Sequence, residues 1–147
     1  DALGQLNPEH LKPSSELDAR IKAGLAPIRP PALNIGVRPF DLTTVTCQAE
    51  LELEETSEER KEQILRSAKV AVNHYLNPHT GGPDGTGWPF ERTLHTGEIL
   101  RVLQLVPGVT RVASVNLADE NGHVVEAVEL EASKLIIAGE HTIRSRC

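Results

Sequence analysis

The chain has 147 residues, a formal net charge of −6 and 39% hydrophobic residues, yet only one Trp, one Tyr, two Phe and no Met. That length suits one domain with a real core, or a domain and an arm, and a charged fraction of 24% is too low for charge-driven disorder. No apolar run approaches the roughly 20 residues of a membrane-spanning helix. The polar, proline-bearing N-terminus resembles neither a signal nor a transit peptide. The acidic balance, without a Lys/Arg cluster, argues against nucleic acid as a partner. Cys47 and Cys147 lie too far apart for a CxxC pair, and Cys47 stands in an apolar register, as a small buried hydrophobe does. The first residue is Asp1 rather than an initiator methionine, so a piece of a longer protein is expected.

Residues 1–40 hold six of the ten prolines (Pro8, Pro13, Pro27, Pro30, Pro31, Pro39). A short helix is predicted from Ser14 to Leu25, capped by Ser14 or Ser15, with Leu17, Ile21 and Leu25 on one stripe. Ala26–Pro39 should then be extended, because proline fixes φ and disfavours helix in the residue before it. Such a segment reads as a connector or arm. From Thr43 to Glu54, Val45, Cys47, Ala49, Leu51 and Leu53 alternate with polar or acidic residues, which predicts a long strand with one buried face. Thr56-Ser57-Glu58-Glu59 has the form of a capping box. Ile64, Leu65, Ala68, Ala71, Val72, Tyr75 and Leu76 then make the stripe of a helix over Ser57–Leu76, stopped by Asn77-Pro78.

Residues 77–94 (NPHTGGPDGTGWPFERTL) contain four glycines and three prolines around the sole tryptophan. Trp88 and Phe90 supply the apolar surface that turns such a stretch into a structured loop. A shorter helix follows, with Thr96 as N-cap and Ile99, Leu100, Leu103 and Val106 on its face, closed by Pro107-Gly108. Strands over Val109–Leu117 and His123–Leu130 flank an Asp119–Gly122 hairpin turn. A last strand over Leu135–Ile137, continued by Glu140–Ile143, completes the order. The class is α+β: a small β-α-α-β-β(-β) sandwich over 41–147, with two helices on one face of a mainly antiparallel sheet and a Pro-rich arm over 1–40.

Candidate chemistry is sparse. The glycine run 81–87 lacks the Gly-Lys-Ser/Thr ending of a P-loop and follows a helix rather than a strand. Asp84 would repel a phosphate. His74, His79 and His95 flank the loop, but without Cys or carboxylate at zinc-ligand spacing and without HExxH. Glu50, Glu52, Glu54, Glu55, Glu58, Glu59 and Glu62 form an acidic run, which a wet strand face and a first helical turn carry as solvated charge. No Gly-x-Ser-x-Gly elbow exists, and no base stands fixed beside the terminal Cys147. No catalytic residue, cofactor or metal is assigned, and no enzyme is expected.

The run Tyr75–Phe90, with GGPDGTGWPF at its heart, followed by Gly97-Glu98-Ile99, Val106-Pro107-Gly108-Val109 and Gly139-Glu140-His141-Thr142-Ile143, resembles the C-terminal region of baseplate J-like wedge proteins. These belong to contractile phage tails and contractile injection systems. The resemblance spans about Leu17 to Ile143. It implies a non-enzymatic structural subunit of a sixfold baseplate wedge. Its partners would be other wedge, hub and sheath-proximal subunits, with no nucleic acid, membrane insertion or small-molecule ligand. The particle would assemble in the bacterial cytoplasm.

Read physically, Trp88 is an anchor either onto its own helices or into a partner's pocket. The acidic residues Glu52, Glu54 and Glu58 either steer docking or are simply solvated. Phe90, Asp84, Pro30 and Pro31 complete the interface candidates, and a free sheet edge with an extended arm offers strand addition. The alternative is a small-molecule-binding α+β regulatory domain, closing loop 81–87 over an anion.

Overall fold

In a computed structural model the described residues are 4–7, 9, 14–28, 30, 41–54, 57–131 and 134–146. Helix α1 (Ser15–Leu25) is capped by Ser14, whose hydroxyl accepts from the Leu17 N–H at 3.2 Å. None of its residues is buried. The next three residues, Ala26–Ile28, form a 3-10 turn instead of the expected extended chain. The φ of Pro27 is as compatible with such a turn as with an extended strand, and the turn asks for no N–H from it. Pro30 is exposed, while Pro31 and Pro39, with most of the expected extended stretch, lie outside the described residues.

Strand β1 (Asp41–Leu53) is the spine of the sheet. Its alternation buries Val45, Cys47, Ala49 and Leu51 at 4% exposure or less. Helix α2 (Glu58–Tyr75) begins one residue later than the capping-box reading implies. Its N-cap is Ser57, whose carbonyl accepts from the Lys61 N–H at 3.0 Å and whose side chain makes no cap bond. Thr56 lies outside the described residues. With Ser57 as cap, Glu59 falls at the second helical position and cannot reach back as a box requires. Ala68, Val72 and Leu76 enter the core.

Strand β2 (Leu94–His95) leads into α3 (Thr96–Gln104). The N-cap of α3 is His95, not Thr96. Glu98 accepts from the His95 N–H at 3.0 Å, and Thr96 instead donates its hydroxyl and its N–H to the Glu126 carbonyl, at 2.7 and 3.0 Å. Strand β3 (Val109–Ala118) pairs antiparallel with β1, from Thr46↔Ala118 to Leu53↔Val109, with irregularities at Glu50/Leu51 and Glu52/Leu53. Gln104 patches this disturbed ladder: its Nε2 donates to the Thr110 carbonyl at 3.1 Å and its Oε1 accepts from the Val112 N–H at 3.3 Å.

The hairpin forms as its sequence predicts. Asp119 Oδ1 accepts from the Asn121 and His123 N–H groups at 2.9 Å each, and Gly122 takes φ +81. The single strand expected over His123–Leu130 is broken in two. β4 (Val124–Val125) stays on β3, whereas β5 (Ala127–Val128) leaves to pair with β2. The break follows burial. Val124 at the sheet edge is 62% exposed, while Val128 and Leu130, past the break, are 5% and 6% exposed in the core.

β6 (Lys134–Ala138) and β7 (Thr142–Arg146) both run parallel to β1, in register with Asp41–Val45 and Gln48–Glu52. They act as one interrupted strand, in which Gly139, Glu140 and His141 face only Thr46 and Cys47. This is a bulge, and a bulge leaves ladder groups unpaired. His141 repairs it, its Nδ1 accepting from the buried Cys47 N–H at 2.9 Å. The result is an α+β domain whose sheet runs β4-β3-β1-β6, with β7 beside β1, mainly antiparallel with a parallel flank. α2 and α3 share one apolar core with the Val45/Cys47/Ala49/Leu51 face.

Candidate functional site

The loop after α2 is a braced structure. Asn77 Oδ1 accepts from the His79 and Thr80 N–H groups at 2.8 and 3.1 Å. Gly81 N–H donates to Asn77 O, Gly82 N–H to Tyr75 O, Gly87 N–H to Gly81 O and Trp88 N–H to Pro78 O, at 2.8–3.2 Å. Gly81 sits so close to the Tyr75, His74 and Asn77 carbonyls that no side chain fits. Gly87, at φ +106, would place a Cβ 2.7 Å from Pro78 O. Gly81 is required by the chain's approach to the end of α2, and Gly87 by its approach to Pro78 and His79 at the start of the loop. Their N–H groups, with that of Gly85 on Gly82 O, are spent inside the loop and form no nest turned toward an anion. Asp84 is exposed on this loop.

Trp88 closes the loop from within the domain. It is 3% exposed, stands edge-on to Tyr75 at 5.7 Å between centroids, carries the Arg92 guanidinium 5.6 Å from its ring centroid, and donates Nε1–H to the Arg92 carbonyl at 3.2 Å. Glu98, from the first turn of α3, gathers the pieces. Its Oε1 accepts from Tyr75 Oη–H at 2.9 Å and Arg92 Nη2 at 2.6 Å, while its Oε2 takes the His95 N–H. Burial, and then the Glu98 hydrogen bond, push the Tyr75 hydroxyl up to about 12. A carboxylate with three donors on it is committed to structure. Two residues past Trp88, Phe90 is 59% exposed, and Glu91 beside it holds φ +59, a left-handed conformation that non-glycine residues seldom adopt. The rigid frame therefore displays the tip Pro89-Phe90-Glu91, all three exposed.

The acidic run divides. Glu50 and Glu52 stand on the sheet face opposite the helices, where Glu50 is in register with Arg144, and Glu52 with Arg111 on one side and Arg146 on the other. Cross-strand opposite charges are mutually favourable, so this face is of mixed sign rather than an acidic patch. Glu54 and Glu58 are exposed, and Glu58 pairs with Lys61 at 2.8 Å. The interface candidates thus do not converge: Trp88 is internal, Phe90 and Asp84 share one loop, Glu52 belongs to the open sheet face, and Pro30 is on the arm.

His74, His79 and His95 are all exposed, and among the described residues no three His, Cys, Asp or Glu side chains gather to hold a metal ion. Burial raises the Cys47 thiol to about 12, which leaves it protonated and unreactive. Among the described residues no helix is long and apolar enough to cross a membrane. Sequence reasoning missed the Tyr75–Glu98–Arg92 cluster. Glu98 in the first turn of the predicted helix was a visible signal, but nothing local pointed to Arg92. No family model matches the chain, and no curated protein matches it.

Proposed function

We propose that this domain is a non-enzymatic assembly module of the baseplate of a contractile injection system or contractile phage tail, acting as the C-terminal part of a wedge subunit through protein–protein contacts that link hub and sheath. What carries the reading is the GGPDGTGWPF loop. The residues that give the resemblance are those its geometry requires: Gly81, Gly82 and Gly87 approach their own backbone, Pro78 accepts from Trp88, and the indole locks the end. Such a construction spends a whole loop on holding one exposed aromatic tip in place, which suits a preorganised docking surface.

The test is incorporation. Phe90→Ala changes a side chain that is 59% exposed and outside the buried core, so the variant should still fold, as circular dichroism would show. It should nevertheless reduce the amount of the chain recovered in purified particles. Normal incorporation of this variant, together with an assembled particle in which residues 77–94 lie remote from every subunit contact, would remove the loop from the interface. Absence of the chain from particles altogether would remove the baseplate reading itself.

A further inference from the structure

The outer surface of the helix pair carries a second feature, remote in sequence from the Phe90 tip. Ser67, Val70, Ala71, His74 and Tyr75 of α2 face Val102 of α3 and the Leu105-Val106-Pro107 segment that follows it across an open, apolar groove of about 480 Å³. Leu105 is 74% exposed and Val70 39%, so both apolar side chains are left in water. α2 and α3 run antiparallel, since Tyr75 meets Glu98 at one end while Gly108 lies against Ile64 at the other. An exposed arginine stands four residues before each exposed apolar residue: Arg66 before Val70 on α2, and Arg101 of α3 before Leu105, which caps that helix. Residues four apart are neighbours on a helix surface, so Arg66 stands beside Val70 and Arg101 beside Leu105, next to the groove's exposed apolar residues. Neither forms a salt bridge among the described residues, in a chain whose formal charge is −6.

We infer that this groove receives an amphipathic helix of a partner protein, with leucine-type residues on its buried stripe and carboxylates on both flanks. A groove between two antiparallel helices takes a third helix as ridges into grooves. The flanking arginines select its charge, since opposite charges at a rim set orientation and exclude partners of the wrong sign. The inference rests on the assembly reading for its biological setting, but its chemistry needs no other baseplate component.

The experiment uses the full chain and a fluorescently labelled helical peptide carrying leucines at one-turn spacing and glutamates on both flanks, against the same peptide with lysines in place of the glutamates. The glutamate peptide should bind at least about tenfold more tightly at low salt, with the ratio narrowing as salt screens the rim. Leu105→Glu should abolish binding without affecting folding, and the double change Arg66→Glu with Arg101→Glu should invert the preference between peptides. Equal affinity for the two peptides, or indifference to Leu105→Glu, would overturn the inference. So would self-association of the chain that Leu105→Glu abolishes, because a second copy would then own the groove. Tighter binding of a peptide of residues 14–28 would overturn it too, making the arm the occupant. Failure here leaves the chain's presence in particles untouched, so the two readings fall separately.

Discussion

Gly85 and Gly87 occupy the same loop for different reasons. Gly85 has φ +69 with open space around it, whereas Gly87 combines φ +106 with a carbonyl oxygen 2.7 Å from where a Cβ would stand. Gly85→Ala should therefore cost only the left-handed penalty of about 1 kcal/mol. Gly87→Ala should cost on the order of 3 kcal/mol, because the backbone must also move. Urea unfolding followed by the fluorescence of the single tryptophan measures both, and equal losses would contradict the geometry. Glu98 offers a second residue-scale test. Glu98→Ala strips the acceptor from Tyr75, Arg92 and the His95 N–H, and should cost about 2 kcal/mol. It should also lower the Tyr75 titration from about 12 toward the ordinary value of 10 when phenolate absorbance is followed, with burial keeping part of the rise. An unchanged titration would mean that Glu98 does not govern the hydroxyl.

Among elements, the interrupted β6–β7 strand holds the domain's clearest pH dependence. His141 is 5% exposed, and with Nδ1 accepting from Cys47 its neutral ring carries the proton on Nε2, which finds no acceptor among the described residues. Burial first, and Lys69 second, lower its titration from 6.5 to about 4. The unfolded chain thus takes up the proton before the folded one does. Stability from this residue is fully present above pH 6.5 and is lost as pH falls toward 4, by roughly 3 kcal/mol in all. His141→Gln, which keeps an acceptor for the Cys47 N–H, should flatten that fall relative to the parent chain in urea titrations between pH 7 and 4.5. Parallel pH curves would sink the assignment. The bulge itself was invisible in the sequence, because Glu140–Ile143 reads as a plain continuation of Leu135–Ile137; only pairing with β1 leaves a surplus residue. The split of the expected His123–Leu130 strand has the same origin. Its alternation is real, but β5 finds its partner in the Leu94–His95 segment far upstream.

At the scale of the whole molecule, the buried apolar cluster among the described residues lies in the body, from Val45 to Ile143. No residue of α1 is buried, and a described tie from the N-terminal residues to the sheet is the Gln5 side chain donating to the Ala138 carbonyl at 3.1 Å. With residues 1–40 removed, unfolding of 41–147 should stay cooperative, because the buried apolar cluster lies within Val45–Ile143. Under the assembly reading, the same truncation should weaken incorporation into particles far more than it weakens folding, and equal loss of both would deny the arm a separate role. By itself the sequence determined what depends on neighbours along the chain: the buried side of β1 from its period of two, the stripes of α2 and α3, the Asn-Gly hairpin, and a loop too rich in glycine and aromatics to be a linker. The tertiary structure alone decided what depends on neighbours across space. It placed Arg111, Arg144 and Arg146 beside the strand glutamates, turned Trp88 inward onto Tyr75 while leaving Phe90 outside, and opened an apolar groove between α2 and α3. The physical reason is that periodicity specifies which face of an element avoids water, whereas register and packing specify what that face meets.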